Sequence, residues 1–96
     1  MLMLSSSAVA AIEALCRRYG CEPTARMRSV ASGARAPVTV EPGGEPAAGD
    51  VTVSRDGVTV LVDRKLAAAA ADKVLHAEPV DGHGTAGFVL HDQPDG

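Results

Sequence analysis

The sequence predicts a small α+β domain in which strands outnumber helices. Two observations carry that class: a valine-rich hairpin of fixed register at residues 50–63, and one amphipathic helix near the N-terminus. The length of 96 residues adds a third, since it suits one domain, 1–96, burying roughly 60–65% of its unfolded-chain surface. With one Phe, one Tyr and no Trp, the core has to be built from Val, Ala and Leu. Such a core is thin, and self-association would help it.

Leu2–Leu4 reads as a short strand. Ser5 then stands where an N-cap belongs, for a helix running to about Tyr19 with Gly20 as its C′ residue. Ala8, Val9, Ile12, Leu15, Cys16 and Tyr19 fall on one apolar stripe of that helix, while Glu13 and Arg17 are spaced i,i+4 on the other side. Residues 25–31 and 37–41 read as strands. Glu41-Pro42-Gly43-Gly44-Glu45-Pro46 is a turn-rich connection and not a domain boundary, because neither side could bury a core alone.

The hairpin follows. Asp56-Gly57 is the dipeptide of a two-residue type I′ turn, whose central residues both need positive φ. Folding about it sets Arg55 opposite Val58, Val53 opposite Val60 and Val51 opposite Val62. Val51, Val53, Val60 and Val62 then share one face, with Thr52, Ser54, Thr59 and Leu61 on the other. Asp63 can cap a short second helix through the alanine run 67–71. Strands near 74–79 and 85–90 come next, joined by Asp81-Gly82-His83-Gly84, and residues 92–96 are expected to fray.

Charge and composition exclude several function classes. A net charge of −3 with almost no aromatics argues against a nucleic-acid binder. No apolar run approaches the ~20 residues of a membrane span. Met1-Leu2-Met3-Leu4 lacks the basic start of a signal peptide, and Glu13-Ala14-Leu15-Cys16 lacks the small residue that precedes a lipoprotein cysteine. A cytoplasmic protein with free thiols is the expectation.

The order of short motifs also carries a resemblance. Asp50-Val51, then Asp56-Gly57-Val58, then Val60-Leu61-Val62-Asp63 and Lys65, resembles the central hairpin of the HesB/IscA family, the A-type carriers of iron–sulfur cluster assembly. Leu4-Ser5-Ser6-Ser7-Ala8 is similar to the family's opening strand-then-helix signal, and Arg26 through Ser32-Gly33 to the strand entering its first ligand loop. Glu45-Pro46 and Gly87-Phe88 match an acidic-Pro loop and a Gly-Phe strand. The resemblance implies a twisted sheet or flattened barrel with the Ser5–Tyr19 helix packed on it, and a non-enzymatic role in cluster biogenesis.

It also implies three cysteine ligands, one in a Ser-Gly-Cys loop and two in a C-terminal Cys-Gly-Cys tail. Here Ser32-Gly33 is followed by Ala34, a methyl group where the thiolate belongs. Past Phe88-Val89-Leu90 the residues are His91-Asp92-Gln93-Pro94-Asp95-Gly96, without a cysteine. The expectation is therefore no cofactor, with an iron–sulfur cluster held only through ligands foreign to the family. A protein client, an assembly partner or a second copy of the chain is the expected partner, with neither nucleic acid nor membrane.

Other chemistry-bearing residues have ordinary readings beside the functional ones. Cys16 lies in the apolar stripe, where a free cysteine acts as a small hydrophobe. Cys21 is more exposed, but its spacing from Cys16 fits no metal clasp or redox motif, and a disulfide between them would need the helix end to fold back on itself. His76, His83 and His91 are scattered, and surface histidines are the default. A mixed metal site of Cys21, His83 and His91 is an alternative, since imidazole suits iron and zinc. Gly82-His83-Gly84-Thr85-Ala86-Gly87 matches G-x-G-x-x-G in form, but it leads into a strand and lacks the βαβ context, so it reads as a turn. Arg26 and Arg28 share a strand face, with Arg35 in the next loop, as a solvated face or as a patch for an anion or acidic partner. No Ser-His-Asp or Cys-His arrangement is evident, and the chain reads as a non-enzyme.

Overall fold

Alternating strands, two capped helices and one tight turn account for most of the architecture. The computed structural model describes residues 1–30, 36–79 and 86–93. In order these form β1 (Met3–Leu4), α1 (Ser6–Tyr19), β2 (Thr24–Val30), β3 (Ala36–Pro42), β4 (Val51–Arg55), β5 (Val58–Val62), α2 (Arg64–Ala69), β6 (Lys73–Pro79) and β7 (Ala86–Asp92). The Asp81–Gly84 connection lies outside the described residues.

The seven strands make one mixed sheet in the order β1-β6-β7-β3-β2-β5-β4. The β1/β6 and β2/β5 pairs are parallel, and the remaining pairs are antiparallel. The sheet curls until its two end strands, β1 and β4, lie side by side. The result is a flattened, nearly closed barrel, as the resemblance implied. A side chain spans the seam: Arg55 Nη1 donates to the Leu4 carbonyl at 2.7 Å.

The hairpin forms in the register read from the sequence, with Arg55 opposite Val58 and Val51 opposite Val62. Asp56 and Gly57 take φ values of 51° and 85°. Val53, Val58, Val60 and Val62 are buried in one apolar cluster with Ile12, Met27, Leu75 and Leu90. Leu61, on the opposite face, is fully buried as well. The sequence pattern set it beside polar Thr52 and Thr59, but tertiary packing covers it: a Cβ added at Gly44 of the β3–β4 connection would stand only 3.7 Å from its Cδ1.

Helix α1 starts where Ser5 Oγ accepts from the Ala8 amide, and Ala8, Val9, Ile12 and Cys16 are buried. Tyr19, expected on the same stripe, is 66% exposed. Gly20 (φ 68°) reverses the chain there, so the stripe ends one turn earlier. Asp63 caps α2 by accepting from the Leu66 amide, but that helix stops at Ala69, short of the full alanine run. Asp92 and Gln93, expected to fray, are tied down. Lys73 donates to Asp92, and Gln93 Nε2 donates to the carbonyls of Met1 and Lys73.

At Gly57 an added Cβ would meet nothing within 4 Å. A Gly57→Ala change should therefore cost only the backbone penalty of positive φ, about 1–2 kcal/mol. Gly57→Asn should cost less, because Asn tolerates that region. Urea unfolding midpoints of the two variants and the parent check this order.

Candidate functional site

The outer face of β2 carries two of the predicted arginines, Arg26 and Arg28, and each is matched to its own carboxylate. Alternation along β2 sends Met27 inward, fully buried, and leaves Arg26 and Arg28 on the outside. A register shift between Met27 and Ser29 leaves Arg28 without a ladder partner of its own. Its Nε instead reaches Glu41 Oε2 at 2.9 Å on the neighbouring strand, an exposed pair worth little by itself.

Arg26 is different. Its guanidinium forks onto Asp50, with Nη1 3.2 Å from Oδ1 and Nη2 2.7 Å from Oδ2, and Nη2 also donates to the Glu45 carbonyl. Asp50 Oδ2 in turn accepts from the Ala47 amide. The side chains of Arg26 and Asp50 are only 15% and 6% exposed. Donation from Arg26 and then from Ala47 holds the Asp50 pKa down at about 2. The same bond raises that of Arg26. Together these contacts clasp the 43–50 connection over Leu61. Nothing in the spacing pairs Arg26 with a residue 24 positions away. The only local signal is the run of turn residues that lets the connection double back. Arg35, the third member of the predicted patch, lies outside the described residues, as do Ala34 and His83.

His91 is on β7, and the antiparallel register with β6 brings it beside His76 and Glu78 rather than Cys21. The two rings sit 4.6 Å apart, and His91 Nε2 is 3.8 Å from Glu78 Oε1. That nitrogen is shielded from solvent and makes no hydrogen bond. Burial, and then the charge of His91, lower the His76 pKa. Among the described residues no three His, Cys, Asp or Glu side chains converge as a metal site.

The two cysteines do meet. Gly20 donates to the Arg17 carbonyl and Cys21 to the Cys16 carbonyl at 2.9 Å, the paired bonds of a Schellman motif. That motif lays the residue after the C′ glycine against the helix's last full turn, and here both contacting residues are cysteines. Cys16 Sγ donates to the Thr24 carbonyl at 3.3 Å and Cys21 Sγ to the Cys16 carbonyl at 3.5 Å. Burial, then the Cys21 thiol, push the Cys16 pKa up. Glu13, Arg17 and Pro23 complete an open cleft of about 410 Å³ around the pair. The fold-back that a bond between these thiols requires is thus supplied by Gly20.

With the barrel, its helix and its outer face in place, the likeness to solved structures is specific. Escherichia coli SufA, described as involved in biosynthesis of iron–sulfur clusters, matches with a TM-score of 0.71 over 95% of this chain and 84% of SufA. IscA, solved with a [2Fe-2S] cluster, matches with a TM-score of 0.70 over 96% of this chain and 85% of IscA. The chain has the HesB/IscA fold. Sequence identities of 20% and 16% make this a likeness of backbone. No family model and no curated protein sequence matches the chain.

A cluster needs several converging thiolates or equivalent donors. The HesB/IscA fold here offers two thiols, both at the end of α1 and both bonded to backbone carbonyls. The described donors do not fit a cluster. No helix is long and apolar enough to cross a membrane among the described residues.

The Asp50 clasp makes a pH prediction. A folded-state pKa of about 2 lies below the ordinary aspartate value of about 3.9, so the clasp's contribution is complete above the ordinary value. It is lost as pH falls toward the folded one. Asp50→Asn should therefore destabilise the protein at neutral pH, with the gap to the parent closing between about pH 4 and pH 2. Unfolding curves at a series of pH values check this, and a gap that stays constant would contradict it.

Proposed function

We propose that this chain is a divergent member of the HesB/IscA family that serves iron–sulfur biogenesis as a non-enzymatic accessory module. It engages a client or another assembly protein and does not ligate a cluster through the family's usual cysteines. The observation behind this reading is the combination of a near full-length structural match to SufA and IscA with Ala34 at the position where the resemblance expects a thiolate.

Donor chemistry supports it. Iron–sulfur sites are built from soft, strongly donating thiolates, and the alanine side chain offers no lone pair. The two cysteines the sequence does contain sit where Gly20 folds the end of α1 back. The outer-face arginines of β2, Arg26 and Arg28, are engaged by Asp50 and Glu41. What the fold retains is a shaped surface, and a surface serves contact with another protein.

Anaerobic reconstitution with iron and sulfide tests the reading. The purified protein should gain no stoichiometric charge-transfer absorption, while added protein should change the rate of cluster transfer from a loaded carrier to an apo-ferredoxin. A cluster bound in fixed proportion to the chain would overturn the loss of ligation. An unchanged transfer rate would remove the accessory role.

A further inference from the structure

We propose that Cys16 and Cys21 form a thiol–disulfide exchange site whose co-substrate is a small peptide disulfide of the glutathione class. Three observations converge on it. The Schellman bonds at Gly20 hold the two residues together in the reduced protein, with Cys21 Sγ 3.5 Å from the backbone oxygen of Cys16. The two thiols differ in access, because Cys16 is 1% exposed and Cys21 is half-buried at the cleft wall. The cleft presents Arg17 and Glu13 beside the thiols, a cation and a carboxylate that complement a zwitterionic peptide.

Access and acidity assign the roles. The thiolate is the attacking species, and a buried thiol is both shielded and harder to deprotonate. Burial raises the Cys16 pKa, which leaves Cys21 to react first. The Cys21 thiolate attacks one sulfur of glutathione disulfide, the S–S bond of that reagent breaks, and one glutathione thiolate leaves and takes up a proton. The Cys16 thiolate then attacks the Cys21 sulfur of the mixed disulfide and expels the second glutathione. In sum, two protein thiols become one disulfide and glutathione disulfide becomes two thiols, with both protein protons ending on glutathione. The second step is intramolecular between residues already in contact, so it outruns attack by another glutathione molecule. A reducing thiol pool runs the same steps backward.

The sequence also supplies a convenient readout. Trypsin cuts after Arg17 and Arg18, between the two cysteines, so an internal disulfide joins two peptides that otherwise separate. The full chain is incubated with glutathione disulfide at mildly alkaline pH, quenched in acid and weighed by mass spectrometry. The expected parent product has lost two hydrogens and yields the joined tryptic pair. Cys16→Ser should instead accumulate one glutathione on Cys21, and Cys21→Ser should react about tenfold more slowly or worse. A parent that stays reduced, that stops at the glutathione adduct, or that cross-links into dimers would overturn the proposal. Because that arm uses the unaltered chain, it stands even if a variant folds poorly.

Discussion

Strand β5 is buried on both faces, with Val58, Val60 and Val62 against the core and Leu61 beneath the connection that carries Gly44. A strand in that position cannot slip by one residue without exchanging Thr59 and its apolar neighbours, so its register is under strong constraint. The Asp56-Gly57 turn meets that constraint locally. The rest of the barrel is organised around the result. Once the hairpin register holds, Arg55 stands at the end of β4 within reach of Leu4, and Asp50 stands at its start within reach of Arg26. One contact closes the seam between the sheet's end strands. The other closes the outer face over Leu61. Both are long-range interactions of side chains that a single turn has placed.

The same economy of means shapes what the molecule offers chemically. Arg26 and Arg28 look like a cationic patch in the sequence, yet each is met by a carboxylate on a neighbouring segment, and the buried pair is bidentate. Such a pair is held because removing either partner leaves a charge in a shielded place. It ties the 43–50 connection to β2. Glycine does comparable work at the end of α1, where a left-handed residue converts two cysteines of unpromising spacing into neighbours. The fold of SufA and IscA is present, and on its outer face Arg26 and Arg28 are engaged by carboxylates of the chain itself.

Much of the fold is legible in the sequence because it depends on short-range rules. Ser5 and Asp63 act as caps, Gly20 ends α1, and the hairpin pairs residue for residue as alternation and turn chemistry require. The misplaced residues are those decided by tertiary packing. Leu61 is buried by a distant loop, Tyr19 is left outside by the reversal beside it, and Gln93 is anchored to Met1 across the sheet. The site is less legible for the same reason. The pairing of Arg26 with Asp50 and of His91 with His76 depends on strand order and register, which spacing along the chain does not encode. The contact between Cys16 and Cys21 is the exception. A C′ glycine with cysteines at the two positions a Schellman motif brings together is a local pattern, so the amino-acid order alone contains that contact.

That the HesB/IscA scaffold works here without a cluster-ligating set is the proposal on which the functional reading turns. Native mass spectrometry of the protein, co-expressed with an iron–sulfur assembly system and isolated without oxygen, addresses it most directly. The expected mass is that of the bare polypeptide, alone or as an oligomer of it. A species heavier by iron and sulfide in fixed proportion to the chain would contradict it.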